Sequence, residues 1–279
     1  MEKKAMKMTL NKLVKKMVLV LLLNPLLAFA DPSATQPATT AAPQLIPTIA
    51  HGTVLSDATN PSKTVQIQGP HARAFTDQGD IYASDSISTE AGQTVKLVFD
   101  DKSEVWVAPL SKLIVQNYSV VPQKKFGQFF LEKGLMRSLV QKDDKDKIKF
   151  HVQTSTATMG VRGTEFLTEV GADHKTSLYT LEGSVAIGHS ARDLESDMSH
   201  RVVKEGLSSE MKQGQTLPTA PHKYDSKLLL ARLQSISPHI ATSVKEKIQA
   251  RKVATSHNKA APKKAYEPEK PKRKMKRKK

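Results

Sequence analysis

The sequence predicts an all-β domain of many short strands, followed by a C-terminal helical pair, with disordered ends. Three observations predict it. From about residue 64 to 217, apolar residues alternate with polar ones at period two. Clusters of Gly, Asp, Asn, Ser and Lys interrupt the alternation at short intervals. After Pro221 the apolar spacing changes to three or four.

Period two means one face buried and one face wet. Val95, Leu97 and Phe99 alternate with Thr94, Lys96 and Val98, and Ile148, Phe150 and Val152 with Lys147, Lys149 and His151. Val105 and Val107, Leu113 to Val115, Phe129 to Leu131, Leu135 to Val140, Phe166 to Val170, Leu178 to Leu181 and Val185 to Ile187 continue the pattern. Asp100-Asp101-Lys102-Ser103, Lys133-Gly134, Gly160 to Gly163, Gly171-Ala172-Asp173 and Glu182-Gly183 read as turns. Many short strands at this spacing make a sandwich, a barrel or a β-solenoid rather than a βαβ fold. The β domain is placed at residues 49–220.

Residues 221–256 read as helical. Tyr224, Leu228, Leu229, Leu230, Leu233 and Ile236 outline one amphipathic stretch, and Ile240, Val244 and Ile248 a second. Ser237-Pro238 is the joint, a capping serine before a proline at the first helical position. The pair packs on the β domain or serves as a docking helix for a partner.

The ends differ from the middle. Lys3, Lys4, Lys7, Lys12, Lys15 and Lys16 precede an apolar run from Met17 to Leu27, which closes on Ala28-Phe29-Ala30. This is the order of a cleaved export signal over residues 1–30. The run is broken by Asn24-Pro25 and is shorter than the roughly 20 residues of a spanning helix. The mature chain is expected to begin near Asp31, in the periplasm or exported to the cell envelope. Residues 31–48 are rich in Pro, Thr and Ala and read as a disordered linker. Residues 257–279 read as a disordered basic tail. The formal charge of the 279 residues is +16. Residues 1–30 account for +5 of it and residues 263–279 for +8, which leaves only +3 for the middle. No nucleic-acid partner is expected from that distribution. Lys272, Arg273, Lys274, Lys276, Arg277, Lys278 and Lys279 are the candidates for attachment to anionic envelope material, a membrane or lipopolysaccharide surface.

The chain has no cysteine, which excludes disulfides, thiolate zinc sites and cysteine nucleophiles. No nucleophile elbow, His-Glu-x-x-His pair, phosphate-binding glycine loop or dinucleotide fingerprint occurs. No cofactor or metal is expected. Asp143, Asp144 and Asp146 have a calcium-loop spacing but lack its glycine and closing glutamate. Trp106 falls on the opposite face from Val105 and Val107. It is a candidate binding surface unless a neighbouring coil or the helical pair covers it.

Met159-Gly160-Val161-Arg162-Gly163-Thr164-Glu165-Phe166 carries the most specific pattern in the chain. Gly160 and Gly163 allow positive φ or close backbone approach. Arg162 offers a rigid fork of donors for turn carbonyls or a carboxylate. Thr164 and Phe166 restart a strand, with Phe166 inward. Together with Ile87 to Ser103, Phe130 to Val140 and Thr180 to Val185, this run resembles the FecR domain family over roughly residues 70 to 217. One departure is Lys102, where the family usually has glycine. The resemblance implies a twisted, solenoid-like all-β domain in the periplasm, in which Gly160, Val161, Arg162, Gly163, Thr164 and Phe166 are architectural. Well-known members place it in an anti-sigma regulator, behind a cytoplasmic segment and a membrane helix. The export signal stands where that segment would be, so the expectation is a stand-alone exported protein that binds or scaffolds an envelope protein or polysaccharide and is not an enzyme. The alternative is a periplasmic component that relays the state of an outer-membrane receptor to a transmembrane regulator.

Overall fold

The computed structural model describes residues 48–57, 62, 64–121, 124–142, 147–195 and 198–260. The export signal, the linker up to residue 47, the Asp143, Asp144 and Asp146 cluster and the basic residues from Lys272 to Lys279 lie outside the described residues.

The strands form one continuous 17-stranded set that folds into two open layers. In the first layer the neighbours are, in order, β4 (Gly79–Ile81), β1 (Ala50–Ser56), β6 (Gln93–Phe99), β7 (Glu104–Val107), the second half of β9 (Lys124–Leu139), β12 (Glu165–Val170), β13 (Thr176–Glu182), β16 (Leu207–Met211) and β17 (His222–Lys223). In the second they are β3 (Arg73–Phe75), β2 (Val65–Gln68), β5 (Ser86–Ser88), β8 (Lys112–Val121), the first half of β9, β10 (Lys147–Gln153), β11 (Thr158–Val161), β14 (Ser184–Gly188) and β15 (His200–Lys204). These pairings are antiparallel except that of β9 with β10.

Strand β9 joins the layers by changing partners. Lys133 still pairs with β8, and Gly134 already pairs with β12. Gly134 has a φ of 88°, and a Cβ there would lie 2.2 Å from the Ser111 hydroxyl. That hydroxyl instead accepts a hydrogen bond from the Leu135 amide at 3.0 Å. The corner thus needs a residue that tolerates the left-handed region and leaves no side chain in the way.

Between the layers lies one core. Its inward residues alternate as the sequence predicts: Val95, Leu97 and Phe99 from β6, Phe129 and Leu131 from β9, Phe150 and Val152 from β10, Phe166 from β12, Val185 and Ile187 from β14. Burying a side chain of this size contributes about 1.5–3 kcal/mol. Phe99 stacks on Tyr118 at 3.9 Å, and the Tyr118 hydroxyl donates to Asp101 at 2.7 Å. Burial and that carboxylate push the Tyr118 phenol well up from its ordinary range.

The chain ends its described part in two helices, α1 (Ser226–Ile236) and α2 (Pro238–Ala260). Asp225 caps α1, accepting from the Lys227 amide at 2.7 Å. Ser237 caps α2, accepting from the Ile240 amide at 3.3 Å, with Pro238 first in the helix. The boundaries differ slightly from the sequence reading. His222 and Lys223 add a short edge strand to β16 before the helices begin. Helix α2 runs past residue 256 to Ala260, because no Gly or Pro interrupts the chain until Pro262.

Candidate functional site

Each layer has an outer face, and the helical pair covers that of the first layer. Leu229, Leu233, Ile240, Ala241 and Val244 of the helices pack on Ala108, Leu135, Leu167 and Leu181 of the strands. Trp106 belongs to this face. It is half-buried, packs against the helix cluster, and donates from Nε1 to Glu104 at 3.0 Å. Lys96 and Arg137 lie over its ring at 5.1 and 5.4 Å. Burial alone would raise the Glu104 carboxyl, but the hydrogen bonds from Lys96 and Trp106 outweigh it and hold it below its ordinary value.

The same face contains a buried ion pair. Arg137, only 5% exposed, donates to Glu165 Oε1 at 3.0 Å from Nε and 2.8 Å from Nη2, and Glu165 is 1% exposed. Lys247 of α2 reaches both Glu165 Oε2, at 3.4 Å, and Glu182. Burial pulls the Lys247 ammonium down, yet these two carboxylates more than offset it and raise it above its ordinary value. Arg232 of α1 pairs with Glu169, and Arg251 of α2 with Glu205 at 2.6 Å. Ser237 at the helix joint shares a buried 2.8 Å hydrogen bond with Thr94 of β6. The cover is therefore held by apolar packing in the middle and by polar contacts along its length.

Among the described residues, only the short 3-10 turn Asp193–Glu195 lies on the outer face of the second layer, over part of β11 and β14. There β10, β11, β14 and β15 place His151, Gly160, Ala186 and Val202 in one cross-strand row. Two residues further along, Ser184 pairs with Lys204, and Arg162, the residue after the end of β11, lines the same groove as Ser184. Apart from His151 at its edge, the first row is small or apolar, whereas Arg162, Ser184 and Lys204 are cationic or hydroxylic. The Asp193–Glu195 turn forms a wall. Ser190 donates to Asp193 from its amide at 2.8 Å and its hydroxyl at 2.9 Å, which holds that turn in place. Leu194 lies over Gly160, where a Cβ would approach it to 3.1 Å. The result is a groove of about 510 Å³, lined by Gly160, Arg162, Ser184, Ala186, Leu194 and Val202 among others.

The signature residues divide between architecture and this groove. Phe166 is fully buried in the core, and Val161 is buried with it. The Thr164 hydroxyl donates to the carbonyls of Arg162 and Ser184, at 3.2 and 3.0 Å. Gly163 has a φ of 59°, and a Cβ there would meet Lys142 at 2.6 Å. Gly160 has no left-handed φ; its lack of a side chain is what lets Leu194 sit on the sheet. Arg162 is exposed, and its guanidinium makes no hydrogen bond or ion pair among the described residues. Sequence reasoning missed Ser184, Lys204 and the Arg137–Glu165 pair. Only strand register brings the first two beside Arg162. A signal for the pair did exist: Arg137 and Glu165 each fall at an outward position of a strand with apolar outward neighbours, Leu135 and Leu167.

The described residues thus build an open two-layer β module with a helical cover on one outer face and a groove on the other. Residues 85–186 match the family described as FecR protein. No curated protein matches the chain. Two crystal structures of a proposed anti-sigma factor from Parabacteroides distasonis are similar to it at 16% and 15% identity, each with a TM-score of 0.42 over 53% of this chain. The similarity spans 64% of that protein, less than two thirds of its length.

Proposed function

We propose that this protein is an exported, non-enzymatic binding or scaffold protein of the cell envelope. Its FecR domain holds a partner on the open face of the second layer, and its basic tail adds attraction to anionic envelope material. One observation carries the reading: the most specific run of the FecR signature contains an exposed arginine, Arg162, that lines a groove on the face the helical pair leaves bare. A built surface with an exposed cation suits recognition. Among the described residues no group of three or more His, Cys, Asp or Glu could hold a metal ion.

The test is in-cell photo-crosslinking with a benzoylphenylalanine at Val202, followed by mass spectrometry of what is attached. A reproducible adduct from Val202, absent from a probe at Leu228 on α1, is the expected result. Equal labelling from both positions, or none from Val202, would remove the open face from the function. The family resemblance favours a second reading, a relay between an outer-membrane receptor and a transmembrane regulator. It takes first place if the Val202 adduct is one such protein alone. Deleting residues 263–279 should weaken envelope retention at low salt and leave the fold unchanged; full retention would remove the attachment role.

A further inference from the structure

The two rows of the open face have different chemistry at a set spacing. Val161 pairs with Val185 and Val185 with Val203, so Arg162, the residue after β11, follows toward Ser184; both line the groove, and Lys204 is the strand partner of Ser184 next to it. One row away the floor is Gly160 and Ala186, flanked by His151 on β10 and by Val202, 48% exposed, on β15. The rows are two residues apart, about 6.7 Å along an extended chain. That is also the distance between side chains i and i+2 of any extended ligand lying along these strands. A floor without bulk lets a second backbone come close. Leu194 and Val202 offer apolar contact, while Arg162 and Lys204 offer charge to an acid. Glu195 is the acidic residue among those lining the groove, next in the chain to Leu194.

Building on the open-face reading, we propose that this groove takes an extended acidic segment of a partner protein, one that presents an apolar side chain and, two residues along, an aspartate or glutamate. The carboxylate sits between Arg162 and Lys204, close to the Ser184 hydroxyl. The apolar side chain sits against Val202 and Leu194. A polysaccharide or a lipid headgroup would satisfy the cations but leave those apolar contacts unused.

The experiment places the photo-crosslinker at Ser184 of the full-length protein in cells and sequences the attached peptide. The expected adduct is a protein segment with an apolar residue two positions from an acid. Its yield should fall about tenfold or more in Arg162→Glu and in Lys204→Glu. It should stay unchanged in Lys245→Glu, an exposed position on α2. Thermal melting of each variant excludes misfolding as the cause. An attached glycan or lipid, a neutral segment, or a yield indifferent to both charge reversals overturns the proposal while leaving the binding role of the face intact. Loss of every adduct from this face, at Val202 as at Ser184, overturns both.

Discussion

The two outer faces of the molecule are made of similar strands and have opposite fates. On the first layer, Leu135, Leu167, Tyr179 and Leu181 project outward and find Leu229, Leu233, Ile240 and Val244 above them. Charge on that face is internal: Arg137 with Glu165, Lys247 with Glu165 and Glu182, Arg232 with Glu169. At the groove on the second layer the row of positions holds His151, Gly160, Ala186 and Val202, and no α-helix packs there among the described residues. Its cations at Arg162 and Lys204 face water. A face with large apolar residues and self-matched charge belongs to the fold. On the proposed reading, the groove, with small residues and the exposed cations Arg162 and Lys204, is left for a partner.

That contrast can be tested by stability, beginning with the largest effect. Glu165→Ala leaves Arg137 buried without its carboxylate. It should cost about 3–5 kcal/mol in urea unfolding, as broken buried pairs do. A loss under about 1 kcal/mol would mean that the first face is no more committed than the second. Leu233→Ala removes a fully buried side chain at the helix–sheet contact and should cost about 2–5 kcal/mol. Increased hydrogen exchange confined to α1, α2 and the outer positions of β12 and β13 would localise it. A smaller effect comes with alkali. Lys247 titrates above the ordinary lysine value of 10.5 because Glu182 and Glu165 favour its charged form. The stability it contributes is therefore complete below about pH 10.5 and is lost as pH rises through the higher folded value. Lys247→Met should flatten that part of the stability–pH curve. The smallest effect is expected on the open face, where Arg162→Ala and Lys204→Ala should each change stability by less than about 0.5 kcal/mol. A melting shift above that would show Arg162 to be architectural after all.

Much of this was legible in the chain because period two is a local signal. The inward row of β6 and the burial of Phe166 follow from alternation alone, and the Ser237-Pro238 joint follows from capping chemistry. Lys102 shows how far such reading reaches. It stands where the related family usually has glycine, and the backbone there is left-handed, with a φ of 66°. The turn keeps the glycine conformation although the residue has changed. The groove was not legible, since Arg162, Ser184 and Lys204 are separated by some 20 residues each and meet only through pairing. The fate of Trp106 was equally open: alternation put it on an outer face without saying whether that face had a cover.

The sequence by itself determined the all-β class, the division between buried and wet faces of the main strands, the two helices and where they join. These depend on residues near one another in the chain, through periodicity, caps and turns. Only the tertiary structure decided that the strands form two open layers joined through β9, which of the two outer faces the helices take, and which charges are left over. Those outcomes depend on register and on competition between distant surfaces. Register sets the neighbours of each side chain, and the helices settle where the apolar area is largest.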